Sequence, residues 1–399
     1  MPEIYFDNAA TSYPKPESVY ETVYKFMKEI GASSGRGAYR RALEADRIIY
    51  GTRRKIASLF GVKDVSRIIF TANATDSLNL ALKGFLKPDS HVITTSMEHN
   101  AVWRPLKRLQ RERGIEITPV QCASDGTLNP PFIPPFFEKQ TKGGRGDLAD
   151  AIKTNTKLIV SLHASNVVGT VMPIKEIGQI AKEKKIPLLV DAAQTAGVYP
   201  IDVEELNIDM LAFTGHKGLL GPQGTGGLYI REGIELEPLK EGGTGGESIL
   251  ETQPSNLPDR YEAGTLNVPG LAGLGAGVSF ILSEGVPKIR AKEIALTQHL
   301  INKLSEIPEV RIYGPKDAEK QVGVVSINVA DYAPEEIGYV LDEVYGIMVR
   351  TGLHCAPCAH RTIGTIERGT LRIGLGYFNT EEEIDYFVQA IKSIIRKVK

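Results

Sequence analysis

Residues 213–230 read Phe-Thr-Gly-His-Lys-Gly-Leu-Leu-Gly-Pro-Gln-Gly-Thr-Gly-Gly-Leu-Tyr-Ile. The apolar run 210–213 that leads into this stretch has the length and composition of a buried strand. Open α/β sheets place their ligands just beyond the carboxyl ends of strands. Lys217 stands there, ringed by small residues that leave room for a flat cofactor. Gly218, Gly221, Gly224, Gly226 and Gly227 allow close backbone approach. A lysine that forms a Schiff base must shed its proton, and a dry site or a nearby cation lowers its pKa. His216 beside it could help. Taken alone, the stretch also fits a plain lysine in a glycine-rich turn.

Outward from this point, short apolar runs at 67–71, 91–95, 157–162 and 187–190 read as further strands. Helical patterns accompany them at 77–83, 102–113 and 174–184. Continuous Val/Ile/Leu runs alternating with helices indicate buried parallel strands in βαβ units, an α/β architecture with helices on both sheet faces. Beyond about residue 255 the texture changes. Helices are expected at 271–283, 286–306 and 335–343 and from Thr380, with strands at 323–329 and 347–350. The 399 residues exceed what one core organises. The reading is therefore a large α/β domain, residues 14–256, and a smaller α+β domain from 1–13 plus 257–399. The opening segment is assigned to the smaller domain because chain ends often return together. Residues 129–147 carry prolines and glycines without any period. They read as an ordered surface loop, with a lid or partner-binding loop as the alternative.

The formal net charge is -1, so no basic field exists to collect nucleic acid. No apolar run approaches the roughly 20 residues that span a bilayer. The first residues lack the basic and apolar regions of a secretory signal. A cytoplasmic protein without nucleic-acid or membrane partners is the expectation. Three cysteines, an odd and low count, argue against a disulfide framework.

Four more stretches carry chemistry. In Leu188-Leu-Val-Asp-Ala-Ala-Gln-Thr, Asp191 ends an apolar strand. A buried carboxylate needs a partner, and a protonated pyridine nitrogen is one that the Asp would keep cationic. Gln194 could donate to the same ring; helix capping by Asp191 is the ordinary alternative. In Phe70-Thr-Ala-Asn-Ala-Thr-Asp-Ser, a helix start offers free backbone N–H groups at Ala74 and Thr75 for a phosphate, or ordinary capping by Thr75 or Asp76. In Ser96-Met-Glu-His-Asn-Ala, His99 could stack on a ring and pass protons, or simply begin a helix. In Val349-Arg-Thr-Gly-Leu-His-Cys-Ala-Pro-Cys-Ala-His, Arg350 offers a fork for a carboxylate and Cys355 a reactive thiolate. Arg372 is a second carboxylate clamp. Cys355 and Cys358 with His354 and His360 also have ligand types suited to zinc, but no second Cys pair completes a four-ligand set, so no metal is expected. A redox pair with Cys358 as resolving thiol is a further alternative. Cys122 follows an apolar run and reads as buried.

These motifs occur in one order, and that order resembles the class V aminotransferase family of fold-type I pyridoxal 5'-phosphate (PLP) enzymes. Within it the likeness is to cysteine desulfurases and selenocysteine lyases of the SufS-like group. It is carried by Tyr5-Phe-Asp-Asn-Ala-Ala-Thr, Ser34-Gly-Arg-Gly, Ala164-Ser-Asn-Val-Val-Gly-Thr, Thr214-Gly-His-Lys, Tyr261-Glu-Ala-Gly-Thr and Arg350-Thr-Gly-Leu-His-Cys-Ala. The resemblance implies a mainly parallel seven-stranded sheet in the large domain. It implies PLP on Lys217, with Asp191 at the pyridine nitrogen, Gln194 at the phenolic oxygen and His99 stacked on the ring. Ala74, Thr75, Thr214 and His216 would hold the phosphate. Thr265 would reach the phosphate of a neighbouring subunit in a homodimer. Asn166 and Arg372 would bind the carboxylate of L-cysteine, and Cys355 would take its sulfur as a persulfide for an acceptor protein. Leu353 stands where that group usually has a second histidine, and Cys358 is an added thiol. Selenocysteine lyase, another activity of the family, and a non-catalytic scaffold are the other readings.

Overall fold

The computed structural model describes residues 3–35, 37–128, 148–245, 247 and 249–398. The 129–147 loop and Arg36 of the Ser-Gly-Arg-Gly stretch lie outside the described residues. The strands in chain order are β1 (Ile4–Tyr5), β2 (Ile68–Thr71), β3 (His91–Thr95), β4 (Glu116–Val120), β5 (Thr156–Leu162), β6 (Leu188–Asp191), β7 (Met210–Thr214) and β8 (Gly226–Ile230). They continue with β9 (Val310–Tyr313), β10 (Val324–Val329), β11 (Ile347–Met348), β12 (Arg350–Gly352) and β13 (Thr370–Gly374).

The apolar runs that surround Lys217 in sequence become neighbours in one seven-stranded sheet of order β2-β8-β7-β6-β5-β3-β4. Its pairings are parallel from β4 across to β7, and β8 runs antiparallel to both β7 and β2. Strand side chains alternate between faces. Ile68, Phe70, Leu188, Val190, Leu211 and Phe213 therefore join one apolar cluster. Ile69, Leu189, Met210, Ala212, Leu228 and Ile230 join another. Helices Arg40–Leu59 and Ile174–Lys184 cover the first face, and Ala74–Phe85 and Asn100–Arg113 cover the second. A sheet buried on both sides is what continuous apolar strands require.

β4 and β8 carry no strand pattern of their own in the sequence, and β8 lies inside the glycine-rich stretch. Its glycines approach protein rather than open space for a cofactor: a Cβ on Gly226 would lie 2.7 Å from Asn73 Cα, and one on Gly227 2.4 Å from Phe213 Cζ.

A four-stranded antiparallel sheet, order β12-β13-β10-β9, forms a second layer, and β1 pairs with β11 in parallel. Ile4 and Phe6 pack with Leu300, Val325, Ile373, Phe387 and Ile391 in one cluster there. The helix Val268–Glu284, counted above with the smaller unit, packs Leu271, Leu274, Val278 and Ile281 into the first cluster of the large sheet instead. Thr52 Oγ1 donates to Leu271 O over 3.0 Å and fixes it against helix Arg40–Leu59. No single helix among the described residues is long and apolar enough to cross a membrane.

Candidate active site

The carboxyl ends of β5, β6 and β7, with the loops after β2 and β3, surround one cleft of about 540 Å³. Asn73, Ala74, Thr75, His99, Asn166, Asp191, Gln194, Thr214, His216 and Lys217 line it. Eight of the residues expected to contact a cofactor thus meet at one place, as parallel strands deliver them.

Local structure explains how each is held. Asn73, not Thr75 or Asp76, caps helix Ala74–Phe85: its side chain accepts from the Asp76 N–H at 3.0 Å. The N–H groups of Ala74 and Thr75, first in that helix, have no intrahelical acceptor and face the cleft end of the dipole. His99 does begin a helix and also lines the cleft. Its Nδ1 accepts from the Ala101 N–H at 3.0 Å, which leaves the ring proton on Nε2. Burial, then the nearby Lys217 charge, pulls its pKa down to about 4, so the imidazole is neutral. His216 is likewise pulled down to about 4, chiefly by burial.

Lys217 is half-buried as a residue. Desolvation of its amino group, reinforced by Arg372, lowers its pKa to about 8. Asp191 is 6% exposed, and its Oδ1 accepts from the Ala193 N–H at 2.9 Å. Burial raises its pKa. It caps no helix, since turns follow it. Gln194 Nε2 donates to Ala9 O at 3.0 Å, which occupies one of its two N–H groups.

The carboxylate-binding candidates lie on the other side of Asn166. Asn166 Nδ2 donates to His354 O at 2.7 Å. Arg372 donates from one terminal nitrogen to Asn166 O at 3.0 Å and from the other to Asp7 Oδ1 at 2.8 Å. Arg350 stands 3.7 Å from Asp7 Oδ2. Cys355 is exposed on the neighbouring loop, with φ of 58°. Its carbonyl accepts from the Asn100 N–H at 2.9 Å, which ties this loop to the residue after His99. Leu353, in the place of the second histidine, is 38% exposed.

The Cys-x-x-Cys cluster is dispersed. Cys358 is buried at the start of helix Pro357–Thr362, and burial raises its thiol pKa. His354 Nε2 bonds Thr370 Oγ1 at 2.9 Å, and His360 Nδ1 bonds Thr365 Oγ1 at 2.7 Å. Among the described residues no group of three or more His, Cys, Asp or Glu is placed to hold a metal ion. Cys122 is buried, with its thiol pushed up to about 11. Thr265 stands apart from the Lys217 cleft: it is exposed and lines a second cleft with Phe70, Asp76, Lys240 and Tyr261.

Two residues at the site, Glu98 and Asp7, carry no functional motif of their own in the sequence. Glu98, beside His99, is fully buried and accepts from Thr95 Oγ1 at 2.8 Å. Asp7 joins both arginines. A charged residue directly before a candidate histidine was the available signal for the first; nothing local marked the second.

The class-V aminotransferase profile matches residues 4–387. The chain belongs to the class-V aminotransferase family. It is 35% identical to a probable cysteine desulfurase of Methanothermobacter thermautotrophicus, covering 98% of this chain and 94% of that protein. It is 34% identical to one of Pyrococcus abyssi, covering 99% and 95%. Its structure is similar to the apo structure of a cysteine desulfurase from Thermococcus onnurineus NA1. That likeness has a TM-score of 0.90 at 33% identity, over 99% of this chain and 95% of that one.

The cleft of this class-V family member fits PLP, the cofactor with which the family works. Thr214 Oγ1 and His216 Nδ1 are buried polar atoms with no acceptor or donor among the described residues. Both line the cleft beside the free N–H groups of helix Ala74–Phe85, a donor set suited to a phosphate. The buried Asp191 carboxylate is suited to a cationic ring nitrogen.

Proposed function

We propose that this chain is a PLP-dependent cysteine desulfurase that moves sulfur from L-cysteine to Cys355. Lys217 would hold the cofactor, Asp191 and Gln194 its ring, and Ala74, Thr75, Thr214 and His216 its phosphate. His99 would lie against the ring as a neutral imidazole. When bound, PLP supplies an electron-withdrawing ring that eases loss of the substrate's α-proton.

The chain's own residues supply the rest. Arg372 and Asn166 hold the substrate carboxylate, with Arg350 at the entrance. Lys217, pulled down to about 8, keeps roughly a tenth of its amine unprotonated at pH 7 and can take the α-proton. The Cys355 thiolate attacks the substrate sulfur. The substrate C–S bond breaks, an S–S bond forms, and L-cysteine plus the Cys355 thiol become L-alanine plus a Cys355 persulfide. The exposed position of Cys355 suits handing that sulfur to an acceptor protein. Thr265, exposed and away from its own cleft, suits a homodimer in which it reaches the neighbouring subunit's phosphate.

The observation that carries this reading is an exposed cysteine tethered through its carbonyl to the residue after His99, beside a cleft built around Lys217. A transaminase needs no such thiol. The test is sulfide and alanine formation from L-cysteine with a reductant, comparing wild type and Cys355→Ala. Loss of sulfide release in the variant is expected; equal release in both contradicts the role of Cys355.

A further inference from the structure

Asp7 lies in the Tyr5-Phe-Asp-Asn stretch, 365 residues from Arg372 in the chain, yet its carboxylate bonds that arginine. It is held there from both sides. Phe6 N–H donates to Met348 O at 2.9 Å, and Asn8 N–H donates to Gly374 O at 3.2 Å. Asn8 Nδ2 also donates to Gly374 O, at 3.1 Å. Asp7 is thus wedged between β11 and β13, and β13 carries Arg372. The same segment continues to the cofactor side. Ala9 O receives Gln194, and the N–H of Ser12 donates to His216 O at 2.9 Å.

We propose that Asp7 sets the charge of the carboxylate site, so that the enzyme admits an amino acid with one carboxylate and rejects one with two. This deepens the reading of Arg372 and Arg350 as that site and rests on it. Two guanidinium charges face one Asp7 carboxylate, with Oδ1 on Arg372 and Oδ2 toward Arg350. One positive charge is left over. Arg372 is 2% exposed, and its Nε has no acceptor among the described residues, so one buried donor remains for a ligand. A single substrate carboxylate supplies that acceptor and balances the charge. A second carboxylate on the ligand meets Asp7, a like charge whose oxygens already face Arg372 and Arg350.

Asp7 is on this account a positioning and specificity residue, not a catalytic one. Removing its charge while keeping its shape frees Arg350 for a second carboxylate. Removing Arg350 as well restores the original count.

The test is calorimetric titration of the PLP-loaded enzyme with L-alanine, which has one carboxylate, and L-aspartate, which has two. Asp7→Asn is expected to shift the ratio of dissociation constants about tenfold toward L-aspartate, the equivalent of about 1.4 kcal/mol. Asp7→Asn with Arg350→Gln is expected to return to the wild-type ratio. Arg350→Gln alone, which leaves the Asp7 tether to Arg372 in place, is expected to shift it away from L-aspartate. That variant keeps the idea testable if Asp7→Asn does not fold. A ratio unchanged within about twofold in Asp7→Asn or Arg350→Gln overturns the proposal, and so does equal weakening of both ligands by Asp7→Asn. Arg372→Lys separates the underlying reading: it should weaken both ligands together. Undiminished L-alanine binding there means that Arg372 is not the carboxylate site, whatever Asp7 does.

Discussion

The backbone N–H of Leu162 donates to Glu98 Oε1 over 3.2 Å. This bond ties the end of β5 to the residue before His99, and Thr95 Oγ1 donates to the same oxygen at 2.8 Å. The two strand ends that deliver His99 and Asn166 are thereby braced by one carboxyl group with no exposed surface. Burial pushes that carboxyl up to about 8, so it holds its proton at neutral pH.

A folded-state pKa above the unfolded value means that the folded chain binds the extra proton. Between about pH 4.5 and about 8, stability must then fall as pH rises. Glu98→Gln keeps the accepting oxygen and has no proton to lose. Its stability relative to wild type is expected to improve steadily from pH 5 to pH 8, read from urea midpoints at each pH. Glu98→Ala strands both donors and leaves a cavity, at a cost of about 2–4 kcal/mol. A pH-independent difference between Glu98→Gln and wild type would show that the carboxyl is ionised throughout.

Glu262 grips Arg53 with both oxygens, at 2.7 and 2.8 Å, and accepts from the Phe70 N–H at 2.6 Å. Both side chains are buried, and Arg53 also lies 4.4 Å from the Phe70 ring centre. This pair joins β2 to the Tyr261-Glu-Ala-Gly-Thr265 segment. Glu262→Ala leaves a buried guanidinium without its counter-ion and is expected to cost about 3–5 kcal/mol. Replacing both residues by apolar ones should cost less than this single change. Denaturant midpoints of the three proteins decide it; a single variant as stable as wild type contradicts the account.

Glycines here differ in what surrounds them. A Cβ at Gly227 collides with Phe213, so Gly227→Ala is expected to destabilise by about 1–3 kcal/mol. Gly51 lies inside helix Arg40–Leu59 with nothing within 4 Å of its would-be Cβ. Gly51→Ala is expected to stabilise by roughly 0.5–1 kcal/mol. Thermal midpoints moving in opposite directions check both.

The strands of the large sheet were legible because burial on both faces writes itself as unbroken Val, Ile and Leu. β8 was hidden by Gly226 and Gly227, which it needs to lie against Phe213 and Asn73. β4 was hidden because Glu116-Ile-Thr-Pro-Val sits at the sheet edge, where polar residues and Pro119 are tolerated. Lys217, Asp191 and His99 were legible because each follows an apolar strand. Asp7 and Glu98 act only through partners brought close by folding, across 365 residues for Arg372 and 64 for Leu162, and no local pattern encodes that.

The proposed chemistry turns on Cys355 receiving the substrate's sulfur. The direct measurement is the mass of the Cys355 peptide after one turnover of the PLP-loaded enzyme with sulfur-labelled L-cysteine and no reductant. One added labelled sulfur on Cys355, matched by one alanine released, is expected. Alanine release with no labelled sulfur on that peptide would contradict it.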